Sequence, residues 1–187
     1  MKILISYALD SEFNPLGTNF GGYELSYVVT GVGKARAAMS VMRAVIENKP
    51  DLVINVGTAG TVIHEKGDIL VCNRFIDRDL RKVNIGCIRS EIVSEKIVEM
   101  PLFANVKDFY TANTGDSFVT ELGNLEGDVI NMETFAEADV CDVMGVPFVA
   151  VMCVSDVIGR NSVKAWEDSL TDSKTALGDF VKKLLSR

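Results

Sequence analysis

The spacing of apolar positions along this chain predicts strands that alternate with helices. Mostly apolar runs at residues 3–9, 25–30, 52–56, 69–75 and 146–154 predict strands, and the last run is nearly all apolar, as expected of a strand covered on both faces. Apolar residues at the helical spacing of i, i+3 and i+4 occupy residues 34–48, 134–144 and 164–185. This alternation predicts an α/β fold, a three-layer α/β/α sandwich around a central mixed sheet.

The remaining segments give a weaker pattern. Residues 106–112 and 129–132 predict two further strands, and we expect a short helix around residues 91–99. The chain shows no internal repeat, low-complexity segment or linker. Its 187 residues can bury a core of their own, so we expect residues 1–187 to form a single domain.

The composition and net charge of the chain argue against some classes of function. The chain is 48% hydrophobic and 24% charged, as in ordinary globular proteins, and its net charge of −7 argues against a nucleic-acid partner. We expect Lys34, Arg36 and Arg43 to form a solvated helix face. No stretch reaches the about 18 apolar residues of a membrane helix, and the first apolar run soon meets Asp10 and Glu12, unlike a signal peptide. These features predict a cytoplasmic protein without a membrane partner.

Metal and nucleotide-cofactor motifs are not evident. The four cysteines have no zinc-like spacing, and the single histidine, His64, cannot form a multi-histidine site. The turn at residues 31–34, Gly-Val-Gly-Lys, is followed by Ala35 where a P-loop needs Ser or Thr, and by Arg36 where a dinucleotide fingerprint needs Gly or Ala. We therefore expect no metal and no cofactor, and interpret residues 31–34 as a turn that leads into a helix.

Three carboxylates stand where predicted elements begin or end. Glu12 follows the first strand, Glu133 follows a short strand, and Asp156 ends the last one. Because ligands of open α/β sheets bind at the carboxyl ends of strands, these acids can converge on one polar, uncharged molecule. The small residues at 57–60 would let a ligand approach the backbone closely. Helix capping by the acids and a plain turn at 57–60 are the alternative interpretations.

Taken in order, these motifs resemble the purine nucleoside phosphorylase/nucleosidase superfamily, and within it most of all the methylthioadenosine/S-adenosylhomocysteine nucleosidases. The matching segments run along most of the chain, at residues 1–12, 30–34, 50–60, 66–69, 115–118, 132–133 and 146–156. The resemblance implies a nucleoside phosphorylase-like sandwich. It also implies a hydrolase of methionine salvage that cleaves the N-glycosidic bond of a purine nucleoside and releases free base and sugar.

The resemblance also implies roles for the acids and their neighbours. Asp156 matches the general acid that donates a proton toward N7 of the purine, with Ser155 beside it as a substrate-binding residue. Glu133 matches the residue that holds the ribose hydroxyls, and Met132 packs against the sugar. Glu12 matches the base that orients or deprotonates the attacking water.

Further matching residues would bind the substrate. Phe118 resembles the aromatic residue that stacks on the base, and Val119 the residue whose backbone contacts it. Trp166 is similar in placement to an aromatic residue near the 5′ substituent. The sugar and water side would be lined by Thr58, Ala59 and Gly60.

Two neighbouring functions remain open. A phosphorylase binds a phosphate dianion, normally with arginines, but the position where that branch commonly has arginine is Asn55. No arginine lies between Ser6 and Phe20, where Asp10 and Glu12 would instead repel phosphate. These residues favour water as the nucleophile over phosphorolysis. A relative that binds nucleosides without turning them over is the third possibility.

The chain departs from the nucleosidases at two places. Asn131 stands where the family usually has glutamate before Met-Glu, and the region 77–106, which in relatives carries a loop that closes part of the pocket, is short. The 5′ substituent is therefore left open among methylthioadenosine, adenosylhomocysteine, 5′-deoxyadenosine, futalosine and other purine nucleosides. Because relatives form dimers or larger rings, we expect a homodimer or higher homo-oligomer.

Overall fold

The computed structural model describes residues 1–83, 86–121, 123, 125–159 and 162–186, and in this part the chain forms nine strands and five α-helices. The strands are β1 (Lys2–Tyr7), β2 (Asn19–Phe20), β3 (Tyr23–Val29), β4 (Leu52–Thr61), β5 (Ile69–Asp77), β6 (Glu91–Val93), β7 (Tyr110–Thr114), β8 (Val129–Asn131) and β9 (Phe148–Val157). The helices are α1 (Lys34–Asn48), α2 (Arg78–Arg81), α3 (Lys96–Glu99), α4 (Thr134–Met144) and α5 (Ser162–Leu185). A 3₁₀ turn at Pro101–Phe103 follows α3.

The strands form one mixed sheet. β1 lies between β3 and β4 and is parallel to both, and β4 continues parallel to β9. β5 is antiparallel to β9 and parallel to β7, which in turn is parallel to β8. β8 also meets β4, where Gly60 lies opposite Ile130, so this part of the sheet curls back on itself. The predicted α/β fold with a central mixed sheet is confirmed.

Helices cover both faces of the sheet. In β1, Ile3 and Ile5 pack in the same buried cluster as Leu177 and Val181 of α5. Leu4, between them, packs in the opposite cluster, which contains residues of α1 and α4. Alternate residues of a strand point to opposite faces, so a continuous apolar run is what a doubly covered strand needs. In the described part of the chain, no helix is long and apolar enough to cross a bilayer.

The largest differences from the prediction concern two elements. The helix expected at residues 91–99 is wrong in its first half, where β6 pairs antiparallel with β5 and only α3 is helical. Beyond Cys72, where its pairing with β9 ends, β5 has one side left for β6 to pair with, and Arg74 Nε also donates to Glu91 Oε1 at 2.8 Å across this pair. The strand expected at residues 106–112 begins later, at Tyr110. Val106 instead closes a turn, because its N–H donates to the carbonyl of Phe103 at 2.9 Å.

Substitution of alanine for glycine at two positions tests the backbone conformation that the structure gives each of them. Gly145 ends α4 at φ 70°, in the left-handed region, whereas Gly178 is buried within α5, and a Cβ at either position meets no atom within 4 Å. We predict that Gly145→Ala lowers the free energy of unfolding by about 1–2 kcal/mol. Gly178→Ala should raise it by about 0.5–1 kcal/mol, since alanine restricts the unfolded chain. Urea denaturation measures both, and equal signs would contradict the assignment.

Candidate active site

The three strand-end carboxyl groups line one cavity of about 140 Å³. Glu12 follows β1, Glu133 lies between β8 and α4, and Asp156 lies near the end of β9. The cavity is also lined by every other residue that the sequence singled out: Met132, Phe118, Val119, Thr58, Ala59, Gly60, Ser155 and Trp166. The fold therefore gathers the whole predicted set in one place.

A bulge in the sheet sets the direction of Asp156. β4 does not end before the small residues but runs through them to Thr61, because β9 continues to pair with it. Ala59 pairs with Val154 and Gly60 with Asp156, so β9 contains one extra residue, Ser155. A Cβ on Gly60 would lie 3.3 Å from Asp156 Oδ2. A larger residue at this position would crowd the carboxyl group and Ile158, whose Cγ1 would lie 3.2 Å from the added Cβ.

Asp156 has one occupied and one free carboxyl oxygen. The residue is 2% exposed, and Oδ1 lies 2.9 Å from the hydroxyl of Ser155. The buried Oδ2 has no hydrogen-bond partner among the described residues. Burial raises the pKa of Asp156, and the hydroxyl groups of Ser155 and Ser162 oppose this rise. The buried hydroxyl of Ser162 makes no hydrogen bond with a described residue. The group is suited to carry a proton and present it to a ligand.

Glu12 is equally buried but better supplied with donors. Oε1 accepts from the backbone N–H of Thr58 at 3.0 Å and from its hydroxyl at 2.6 Å, and Oε2 accepts from the N–H of Leu9 at 3.2 Å. Burial raises the pKa of Glu12, while the bonds from Thr58 and Leu9 lower it. The indole N–H of Trp166 donates to the Thr58 hydroxyl at 3.0 Å, so an aromatic residue of α5 helps to orient this carboxylate.

Glu133 is held by the turn before α1. Its Oε1 accepts from the N–H of Gly33 at 2.9 Å, and its Oε2 from the N–H of Met132 at 3.2 Å. Burial raises the pKa of Glu133 to about 7; the Gly33 bond lowers it, and the charge of Glu12 raises it. Gly33 has φ 94°, which favours glycine. The turn predicted only as a helix start thus also holds a site carboxylate.

The prediction that Lys34 lies on a solvated helix face is wrong. Arg36 and Arg43 are exposed as expected, but the Lys34 side chain is only 19% exposed. Its ammonium group lies 3.0 Å from Asp77 Oδ2 and 2.9 Å from Asp79 Oδ2. Because α1 begins beside the end of β5, its first residue meets these acids rather than solvent. The two ion pairs anchor the turn that carries the Gly33 N–H.

The aromatic residues lie together at one side of the cavity. The rings of Phe118 and Trp166 meet edge to face, with centroids 6.3 Å apart. Phe118 is 42% exposed, so it stands at the mouth of the cavity, with Val119 next to it in the lining. A flat, partly apolar ligand can lie against this pair.

Asn131 lines the cavity and also accepts hydrogen bonds from the backbone at the start of α4. Its Oδ1 accepts from the N–H groups of Glu133 at 3.1 Å and Thr134 at 3.2 Å, and its Nδ2 donates to the Thr134 hydroxyl at 2.8 Å. These bonds satisfy N–H groups at the start of α4, which have no partner inside the helix. The asparagine that departs from the family pattern therefore fixes the backbone of Glu133.

Glu137 is a fourth acid that sequence reasoning missed. It is fully buried one helical turn after Glu133 and accepts hydrogen bonds from the Ser6 hydroxyl and, at 3.0 Å, from Asn55 Nδ2. Burial raises its pKa to about 8. Asn55 is thus engaged beneath the cavity and does not line it. The available signal was an acid on the otherwise apolar face of the predicted helix 134–144.

Arg78 is a second residue that sequence reasoning missed. It opens α2 directly after β5 and lines the cavity beside Glu133. Burial lowers its pKa, and the nearby acids Asp79 and Asp77 raise it. The strand-end argument that selected Glu12 applies equally to Arg78, and its position after an apolar run was the available signal.

The chain matches known proteins over nearly its whole length. The family model of the phosphorylase superfamily matches residues 11–111 and 106–186. A 5′-methylthioadenosine/S-adenosylhomocysteine nucleosidase of Bacillus pumilus is 28% identical over 229 aligned residues, which cover 100% of this chain and 99% of the relative.

Solved structures share the fold. The 5′-methylthioadenosine/S-adenosylhomocysteine nucleosidase of S. pneumoniae, solved with a transition-state inhibitor, has a TM-score of 0.83 at 20% identity and covers 100% of this chain and 99% of its own. A futalosine hydrolase mutant of Helicobacter pylori has a TM-score of 0.82 at 18% identity, with 98% of each chain covered. At such identities the likeness establishes the fold.

Glu137 makes stability depend on pH with a defined sign. Its folded pKa lies above that of an exposed glutamate, so the folded state binds the proton more tightly. The contribution of Glu137 to the free energy of unfolding is therefore greatest at low pH. It falls as the pH rises from about 4.5 to about 8.

We predict that Glu137→Gln, which keeps the shape and the neutral state, removes this decline. The free energy of unfolding of the variant should exceed that of the wild type by at least about 1.4 kcal/mol at pH 8.5, the value of one pKa unit, and by much less at pH 5. Urea denaturation at the two pH values measures the difference. A variant that is less stable than the wild type at pH 8.5 would contradict a neutral Glu137.

Proposed function

Because this chain belongs to the phosphorylase superfamily, we propose that it hydrolyses the N-glycosidic bond of a purine nucleoside and releases the free base and the sugar. The observation that carries the proposal is the buried oxygen of Asp156 that has no partner among the described residues, in a cavity shared with Glu12 and Glu133. The relative in Bacillus pumilus, a 5′-methylthioadenosine/S-adenosylhomocysteine nucleosidase, supports a methylthioadenosine-like substrate.

Asp156 acts on the leaving base. Cleavage of the bond builds negative charge on the purine and positive charge on the sugar. Asp156 donates its proton toward N7, which neutralises the first charge, and burial supplies the raised pKa that keeps the proton in place. Ser155 holds the other oxygen, so Oδ2 is the one that faces the base.

Glu133 and Glu12 act on the sugar and the water. Glu133 binds the ribose hydroxyls and stabilises the positive sugar, and Met132 packs against its face. Glu12 accepts a proton from the attacking water, and its three hydrogen bonds keep part of it ionised for that purpose. Thr58, Ala59 and Gly60 form the wall beside this water.

The aromatic side of the cavity binds the base and the 5′ end. Phe118 stacks on the purine, and the backbone of Val119 contacts its edge. Trp166 lies between Phe118 and Thr58, where it borders the 5′ substituent.

Water is the nucleophile rather than phosphate. Among the described residues that line the cavity, Arg78 is the one with a cationic side chain, and its guanidinium group is taken up by four backbone carbonyls. It is therefore not free to bind a dianion. The buried acids Glu12 and Glu133 would also repel phosphate.

We further propose the setting in which the enzyme works. Residues 1–187 act as one domain, in the cytoplasm, as a homodimer or higher homo-oligomer and in methionine salvage. The four cysteines are all free, as in proteins of a reducing compartment. Met39 and Ile46 of α1 and Val143 of α4 are 57–70% exposed, and assembly would remove such apolar side chains from water.

The role of Asp156 predicts the effect of removing its proton. We expect Asp156→Asn, which keeps the shape, to lower kcat for adenine release from methylthioadenosine at least about 100-fold. Because the wild-type acid must be protonated, its kcat should fall as the pH rises through the raised pKa, and the variant should lack this limb. Asp142→Asn, an exposed change on α4, serves as the matched control. Near-wild-type turnover in the Asp156 variant would remove this residue from the mechanism.

The choice of water predicts the sugar product. Incubation with nucleoside and excess inorganic phosphate should yield the unphosphorylated sugar, at a rate independent of phosphate, because Arg78, the one arginine among the described lining residues, is engaged by backbone carbonyls. Chromatography with phosphate detection identifies the product. A sugar 1-phosphate would establish phosphorolysis instead, and thermal stabilisation by the nucleoside without release of adenine would establish a binding protein.

A further inference from the structure

Arg78 occupies a place in the cavity that the proposed reaction does not use. It is 7% exposed, lies directly after β5, and lines the cavity beside Ser117, Phe118 and Glu133. No carboxylate of the described residues lies within 4.0 Å of its guanidinium group. A buried guanidinium without such a partner needs other hydrogen bonds to offset the cost of its burial.

Four backbone carbonyls provide those hydrogen bonds. Nη1 donates to the carbonyls of Asn113 at 3.3 Å and Asn131 at 3.0 Å, which belong to β7 and β8. Nη2 donates to the carbonyls of Gly115 at 3.0 Å and Ser117. One side chain thus joins the end of β8, where Met132 and Glu133 follow, to the segment after β7.

The carbonyls of Gly115 and Ser117 both accept hydrogen bonds from this arginine. The pairing of β7 with β8 ends at Thr114 and Asn131, and the N–H of Gly115 still donates to the carbonyl of Asn131 at 3.2 Å. Gly115 is buried, where a carbonyl without a partner is costly, whereas Ser117 is exposed, so for Ser117 the arginine fixes the position of the carbonyl. Phe118 and Val119 come next along the chain, and their position follows from how the preceding backbone is held.

Gly115 lies directly against the side chain of Arg78. A Cβ on Gly115 would lie 2.6 Å from Cζ and Nε of Arg78 and 2.8 Å from its Cγ. Gly115 is not among the glycines with positive φ, so it is the contact rather than the backbone conformation that requires glycine. The glycine of the Gly-Asp-Ser-Phe motif at residues 115–118 therefore makes room for the guanidinium group.

We propose that Arg78 is a positioning residue that fixes the distance between the base-binding segment, residues 117–119, and the sugar-binding residues Met132 and Glu133. This inference rests on the proposed function, because it takes the base and ribose to bind at those two places. A nucleoside has a rigid link between base and sugar, so both subsites must be correctly spaced for Asp156 to reach the base. The planar fork of an arginine can hold four carbonyls at once, whereas a lysine ammonium group cannot.

Substitutions at the two complementary positions test the proposal. Arg78→Lys, which keeps the charge, and Gly115→Ala, which displaces the guanidinium group, should each lower kcat/KM about 100-fold, the usual cost of a misplacement of about 1 Å. Arg81→Lys on the same helix is the matched control, since Arg81 pairs with Glu91 and Glu126 at the surface, and it should keep wild-type kcat/KM.

The coupling between the two positions separates positioning from simple loss of stability. In an Arg78→Ala background the added methyl group of Gly115→Ala meets no guanidinium group, so it should change kcat/KM by less than about twofold. Equal effects of Gly115→Ala in both backgrounds would overturn the proposal. So would wild-type kcat/KM in Arg78→Lys.

Adenine binding provides a readout that needs no turnover. The affinity for free adenine, measured by titration calorimetry on folded protein, should fall at least about tenfold in Gly115→Ala and Arg78→Lys, because the base-binding segment shifts. A merely structural role would lower Tm and leave the adenine affinity unchanged, which would overturn the proposal. If the wild type binds adenine but cleaves no nucleoside, the proposed function fails, and the adenine titrations still decide the role of Arg78.

Discussion

The burial of acids at strand ends is the constraint on which this site depends. Burial favours the neutral form of every carboxyl group, and hydrogen bonds donated by the surroundings favour the charged form. Glu12 receives three such bonds, Glu133 two and Asp156 one. Glu12 therefore has the most support for its charged form and suits a proton acceptor. Asp156 keeps one carboxyl oxygen without a partner among the described residues, and this oxygen suits a proton donor.

The fold supplies these donors from distant parts of the chain. Thr58 belongs to β4, whose long pairing with β9 also produces the bulge at Ser155 that directs Asp156. Gly33 belongs to the turn before α1, which Lys34 fastens to the end of β5. Each acid thus depends on contacts between separate elements.

Much of the fold and the site could be predicted from the sequence. Buried strands are apolar on both faces, so the runs of β1, β4, β5 and β9 were plain, and the acids that follow them converge because strand ends meet. The sequence carries a signal that Arg78 and Glu137 lie near the site, but their hydrogen-bond partners, like the ion pairs of Lys34, lie far along the chain and could not be predicted. Residues 91–93 were misassigned since a short edge strand takes its conformation from its neighbour β5, not from its own pattern.

The most direct measurement is a crystal structure of the protein with adenine bound. If the free oxygen of Asp156 is the proton donor, Oδ2 lies within about 3.2 Å of N7, with the purine ring against Phe118. The account is contradicted if the base binds with N7 turned away from Asp156, or outside the cavity between Glu12 and Glu133.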